Sequence, residues 1–187
     1  EYFIYNVDVA GKIFTRELVE AAKRGVRVRL LVDRSKPIFV LDEYYADELI
    51  KQGVEVKYYN TAPLYKISTI QFRNHRKLLT VDDEEALTGG RNIADDYFDL
   101  SLRFNFNDRD IYVKGPLAKV MRESFDAFFD HKISKKPKTP RAPTKSDKST
   151  VHVYYAKKRA GAQSFLLETD EEKYVRGQVE AVGGKIL

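Results

Sequence analysis

The sequence predicts a mixed α/β fold, with a mainly parallel sheet flanked by helices. Strand-like and helix-like segments alternate over the first 60 residues, glycine closes both early helical patterns, and a strongly amphipathic helix follows a run of short strands. Residues 2–5, Tyr-Phe-Ile-Tyr, read as a buried strand. Residues 11–24 place Ile13, Phe14, Leu18, Ala21 and Ala22 at helical spacing, and Gly25 ends that helix. Residues 26–32 alternate in part and read as a strand ending at Asp33. A second helix is expected over 41–52, closed by Gly53, and a strand over 54–59.

Residues 60–72 have no period and contain Pro63, so they read as a loop. Two short strands are expected at 77–81 and 85–88 around an acidic turn, then a break at Gly89-Gly90. A short helix can begin within 92–98, and a strand spans 110–114. Gly115-Pro116 opens a helix with Leu117, Val120, Met121, Phe125, Phe128 and Phe129 on its apolar side. The body of the fold is expected to end near His131. Residues 132–150 carry seven bases and one acid, hold three prolines and no aromatic residue, and read as a flexible basic linker. That segment carries a net +6 against +5 for the whole chain, which leaves a body at −1, close to neutral. Beyond it, 151–155 reads as a strand and 171–182 as a helix.

Composition excludes several chemistries. There is no cysteine, so disulfides, thiol catalysis and thiolate metal sites are out. Three histidines without i, i+4 spacing, and carboxylates grouped only as Asp82-Asp83 and Asp95-Asp96, do not form a metal-ligand pattern. The apolar runs at 30–32 and 37–41 fall far short of the roughly 18 residues of a membrane span. The chain starts at Glu1 within an apolar run, without an initiator Met, and reads as an excerpt of something longer. The aromatics Tyr44, Tyr45, Tyr58, Tyr59, Tyr97 and Phe98 are expected mostly in the core, a minority lining a lipid or base channel.

The informative stretch is Asn74-His75-Arg76-Lys77-Leu78-Leu79-Thr80-Val81-Asp82, followed by Gly89-Gly90-Arg91-Asn92. On a strand, residues two apart share a face, so His75 and Lys77 project together. An imidazole beside an ammonium suits a phosphate: Lys77 supplies fixed positive charge and neutral His75 can attack phosphorus. The cation also lowers the His75 pKa. Gly89 and Gly90 permit a tight turn and close backbone approach, and Asn92 is expected where a helix begins, completing an anion cradle. Asp82 reads as a structural turn residue.

The spacing H-x-K-x4-D-x6-G-G-x-N, met by His75, Lys77, Asp82, Gly89, Gly90 and Asn92, resembles the phospholipase D superfamily (HKD) signature. The flanks at 89–98, Asp108-Arg109-Asp110 and Gly115-Pro116 are similar to those of bacterial cardiolipin synthases. The resemblance covers roughly residues 1–131 and implies one lobe of a normally two-lobed enzyme. It implies a metal-independent phosphodiester exchange through a phosphohistidine, with no cofactor, acting on glycerophospholipids as a phosphatidyltransferase or phospholipase D. By motif position, His75 is nucleophile or general acid, and Lys77 and Asn92 hold the phosphoryl oxygens. A downstream carboxylate fixes the histidine tautomer; Asp110 is the first choice and Asp108 the second. The alternatives are a nuclease with the same chemistry, against which the near-neutral body argues, and a catalytically incomplete phosphate-binding fragment.

The signature occurs once here, whereas cardiolipin synthases carry two, and neither His131 nor His152 begins another H-x-K. The expected layout is therefore a catalytic lobe over 1–131, a linker over 132–150, and the start of a second lobe or an appendage over 151–187. A second motif-bearing lobe or a homodimer partner completes the site. The resemblance also implies a bacterial envelope location, and the basic linker suits an anionic membrane surface better than nucleic acid.

Overall fold

A computed structural model describes residues 1–34, 41–61, 72–142, 149–170, 172–174 and 178. The α/β class and the flanking helices are as expected. Helix α1, Val9–Lys23, starts at Asp8, whose Oδ1 accepts the Gly11 N–H at 3.0 Å. It ends in a Schellman turn: Gly25 N–H donates to Ala22 O and Val26 N–H to Ala21 O, with Gly25 at φ +91°. Helix α2, Glu43–Lys51, is built alike, with Asp42 as its cap and Gly53 at φ +94° behind it.

Strand β1, Arg29–Asp33, pairs in parallel with β2, Glu55–Tyr59. Strands β3, Leu78–Val81, β4, Glu85–Gly89, and β5, Asp110–Lys114, form an antiparallel meander. The expected mainly parallel sheet is thus divided: the helix-linked β1 and β2 are parallel, while β3, β4 and β5 are antiparallel, and the turn of a few residues between β3 and β4 is too short for a crossover. The N-terminal segment joins the halves. Tyr2 N–H donates to Leu31 O at 3.0 Å and Asp33 N–H to Tyr2 O at 3.2 Å, while Leu78 N–H donates to Glu1 O at 2.9 Å. Tyr5 bridges to Ile93 in parallel.

Helices cover both faces. Leu30 and Val32 turn toward α1 and α2, burying Val19, Ala46 and Leu49 in one core. Leu31, Leu78 and Ala86 turn the other way, onto α3, Pro116–Phe129. That helix packs through Ala118, Phe125 and Phe129, whereas Leu117 and Val120, expected on its apolar side, are exposed. The close packing comes from the small Ala118 and the two rings. Tyr58 is a core residue as expected, and Phe98 is exposed.

Two further elements differ from expectation. Within 132–150, Ser134–Lys135 form β6 and pair antiparallel with Tyr58 and Tyr59, and Tyr44 Oη donates to Arg141 O at 2.8 Å. Residues 151–155 are helical, part of α4, Ser149–Ser164. Valine and tyrosine favour strands locally, but the helix-forming residues that follow and burial of Ala162 and Phe165 override that preference. The Phe165 ring meets Tyr45 edge-on at 5.1 Å, and Lys158 pairs with Asp42 at 2.8 Å. Glu172, fully buried, pairs with Arg16 and, at 3.5 Å, with Lys12. Most of the loop expected at 60–72 lies outside the described residues, as does most of the helix expected at 171–182. Among the described residues no helix is long and apolar enough to cross a membrane.

Candidate active site

The motif residues sit where the chain enters β3. Segment 73–76 is held from beneath by buried polar groups. Asp33, at the carboxyl end of β1, accepts the Asn74 N–H at 2.8 Å and pairs with Arg73 at 3.3 Å. Asn74 Nδ2 donates to Glu1 Oε2 at 2.9 Å, its Oδ1 accepts the Arg76 N–H at 3.1 Å, and Arg76 pairs with Glu1 at 2.7 Å. These bonds fix the backbone on both sides of His75.

The structure brings His75 and Lys77 together. Lys77 Nζ lies 2.9 Å from His75 Nδ1 and 3.2 Å from Nε2, and donates to the His75 carbonyl at 2.7 Å. An ammonium only donates, so the ring nitrogen it meets accepts, as in neutral imidazole. The Phe3 ring lies 4.5 Å from the imidazole, and the Lys77 ammonium lies 5.5 Å from the same ring. Lys77 is buried while the imidazole stays solvent-accessible. Burial lowers the His75 pKa below its usual range and the Lys77 charge lowers it further; the sequence reading identified only the second cause. Burial also lowers the Lys77 pKa, against the opposing charge of Asp108.

The glycines work through steric fit. Neither adopts a positive φ among the residues that do. A Cβ on Gly89 would fall 2.1 Å from Asp110 Oδ1 and 2.3 Å from Arg109 O, and one on Gly90 would fall 2.2 Å from Asp108 Oδ1. They admit the incoming strand β5, so close approach, rather than a tight turn, accounts for them. Asn92 is buried but does not open a helix: the nearest helical turn is the short 3-10 segment Asp95–Tyr97, capped by Ala94. Its Oδ1 accepts the Ile4 N–H at 2.9 Å, which pins the segment carrying Phe3 beneath His75.

The two candidate carboxylates separate. Arg91 engages Asp110, Nη1 to Oδ2 at 3.3 Å, and donates to the Asp108 carbonyl at 3.2 Å. The Asp108 side chain faces Gly90, and its charge acts on Lys77. Asp82 lies at the far end of β3, exposed, with φ 50° in the turn to β4. His131 is exposed.

A depression of about 390 Å³ opens beside the motif, lined among others by His75, Lys77, Thr88, Gly89, Val120 and Met121. Helix α3 thus forms one wall, which sequence reasoning did not foresee. Asp33, Asn74 and Phe3 were also missed. The position of Asp33 at the carboxyl end of a parallel strand, where open α/β sheets place their sites, was a readable signal.

Comparison with known proteins agrees with this geometry. The family described as "Cardiolipin synthase, PLD-like domain" matches residues 2–129. An uncharacterized protein of Helicobacter pylori (strain ATCC 700392 / 26695) is 34% identical over 143 residues, covering 68% of this chain and 27% of its own. Cardiolipin synthase of Geobacillus sp. (strain WCH70) is 35% identical over 127 residues, 67% of this chain and 25% of the relative. Cardiolipin synthase C of Escherichia coli (strain K12) is 33% identical over 144 residues, 69% of this chain and 29% of the relative. The chain therefore spans about a quarter of the length of these curated relatives. With the family match reaching from the bridging N-terminal segment to the end of α3, the chain belongs to the phospholipase D superfamily, as a cardiolipin synthase-type phospholipase D-like domain.

Proposed function

We propose that this chain supplies one half of a phosphatidyltransferase or phospholipase D site that acts on glycerophospholipids through a phosphohistidine. The observation that carries the reading is the accessible His75 imidazole held 2.9 Å from the buried Lys77 ammonium, which with partial desolvation lowers the imidazole pKa. An unprotonated ring nitrogen of His75 attacks phosphorus, the bond from phosphorus to the alkoxy oxygen breaks, and the departing alcohol takes a proton from a second acid. Water or an alcohol then gives up a proton to that group, attacks the phosphohistidine, and returns His75 as the leaving group. Lys77, with Asn92, offsets charge on the phosphoryl oxygens. The orienting carboxylate is Asp108, because its charge acts on the Lys77 side of the site while Asp110 is held by Arg91. Asp110, the first choice from the sequence, is paired with Arg91 at the start of β5. The histidine in the second role comes from another motif-bearing lobe or a second copy of the chain, at the bacterial envelope.

The test uses a short-chain phosphatidyl ester of p-nitrophenol, kept monomeric, whose leaving group departs without a proton donor. Intact mass should gain one phosphatidyl group, acid-labile as a phosphoramidate, on wild type and not on His75→Ala. No adduct, or the same adduct on His75→Ala, refutes the assignment. Cleavage of single-stranded DNA without lipid labelling would favour the nuclease reading.

A further inference from the structure

Residues 132–142 hold Lys132, Lys135, Lys136, Lys138 and Arg141 and no acid, so this stretch alone carries +5. It is fastened to the body. Ser134 N–H donates to His131 O at 2.9 Å and its Oγ to Phe128 O at 2.7 Å, β6 runs along β2, Pro140 is buried, and Tyr44 Oη donates to Arg141 O at 2.8 Å. All five bases stay exposed. The acids on the elements beneath are already matched. At α2, Asp42 pairs with Lys158, Glu43 with Arg34, and Asp47 and Glu48 with Lys51. On β2 and at the end of α3, Glu55 pairs with Arg27, Asp126 with Arg29 and Arg122, and Asp130 with Lys57. These are seven acids against seven bases, so the +5 of the stretch stands uncancelled. Among the described residues, none of its four lysines meets a carboxylate. Lysines also keep foreign strands off a sheet edge, but Lys132, Lys136 and Lys138 lie outside the two paired residues of β6.

We propose that residues 132–142 form a basic strap that docks this domain on an anionic lipid surface, at the sheet edge that carries His75. The register gives the placement. Ser134 opposes Tyr59, Tyr59 opposes Asp33, and Asp33 accepts the Asn74 N–H beside His75. At ~4.8 Å per strand, the strap therefore starts roughly 10 Å along the edge from Asp33. The occupant follows from charge and from what the strap lacks. Fixed, unmatched ammonium groups complement lipid phosphates. A protein partner would need an apolar centre, and the strap exposes no large apolar side chain. Single-stranded nucleic acid would need rings on which bases stack, and residues 132–142 contain none. The docking goes beyond the chemistry at His75, and its test requires no turnover.

The whole chain is sedimented with phosphatidylcholine vesicles, with and without phosphatidylglycerol, at low and at physiological salt. Wild type should bind only the phosphatidylglycerol vesicles, and more weakly as salt rises. Lys132→Gln/Lys135→Gln/Lys136→Gln/Lys138→Gln should unfold at the same temperature and bind at least about a hundredfold more weakly, since each lysine near an anionic surface contributes about fivefold. The same four positions changed to arginine should bind as wild type does. Lys23→Gln/Lys114→Gln/Lys119→Gln/Lys173→Gln lowers the net charge equally at lysines that are already paired, and should keep most of the binding. His75→Ala should bind as wild type does, so failure of the strap and failure of the phosphohistidine reading are distinguishable. No binding by wild type, undiminished binding by the strap variant, failure of the arginine version, or an equal loss in the control would overturn the proposal. Strap-dependent binding of single-stranded DNA tighter than that of the vesicles would overturn it in favour of nucleic acid.

Discussion

Replacing Gly89 by alanine tests whether the glycine pair exists to admit β5. The new methyl would lie 2.1 Å from Asp110 Oδ1, 2.3 Å from Arg109 O and 2.6 Å from Asp110 Cα. Carbon contacts are comfortable only near about 3.5–4.0 Å, and two of these three neighbours are backbone, so β5 must retreat by more than about 1 Å. That displacement breaks the Gly89–Asp110 end of the ladder and the Gly90 N–H bond to Arg109 O. Overpacking costs about 1–3 kcal/mol and each lost hydrogen bond about 1 kcal/mol, so the loss is about 3 kcal/mol. For a chain of this size that lowers the melting temperature by about 6–12 °C, measured by circular dichroism. Gly90→Ala meets the Asp108 carboxylate, which can swing aside. It should cost under about 1 kcal/mol in stability yet slow His75 labelling, because Asp108 is displaced. A Gly89→Ala protein melting within about 2 °C of wild type refutes the close-approach argument.

Three other outcomes follow from the same geometry. The folded-state pKa of His75 lies below its unfolded value of about 6.5, so the unfolded chain binds more protons as pH falls through that value; this group's stability contribution is present above about pH 6.5 and lost below. In Lys77→Met the imidazole pKa, read from its carbon-13 shift, should rise but stay below 6.5, since burial is the larger cause; no rise would contradict the pairing. Asp33→Ala leaves the Asn74 N–H and Arg73 without a buried partner's charge and should cost about 3 kcal/mol in urea unfolding, against under 1 for a merely peripheral residue. Asp42→Ala removes the α2 cap and the Lys158 pair, so hydrogen exchange at Tyr44 and Tyr45 should accelerate, with about 1 kcal/mol lost overall; unchanged exchange would remove the cap from the account.

Much of the molecule was legible because its signals are local. Gly25 and Gly53 stop α1 and α2 through a backbone conformation that only their own sequence neighbourhood sets, and His75 and Lys77, two residues apart, do meet, although they lie in the segment just before β3 and not on the strand expected. The family signature is local in the same sense, a fixed spacing within eighteen residues, 75–92. Elsewhere local preference misled. The valines and tyrosines at 151–155 read as strand, yet they lie in α4, and the apolar stripe of α3 leaves Leu117 and Val120 in water.

The amino-acid sequence by itself determined the α/β class, the early helix ends, and the identity of the histidine and lysine that meet. Only the tertiary structure decided that residues 1–5 join two half-sheets, that Asp33 holds the backbone beneath His75, and that Arg91 engages Asp110 while the Asp108 side chain faces Gly90. The reason is separation along the chain. Leu78 bonds to Glu1 across 77 residues and Ile4 to Asn92 across 88, and no periodicity or capping signal within a single segment encodes which distant segment it will lie against.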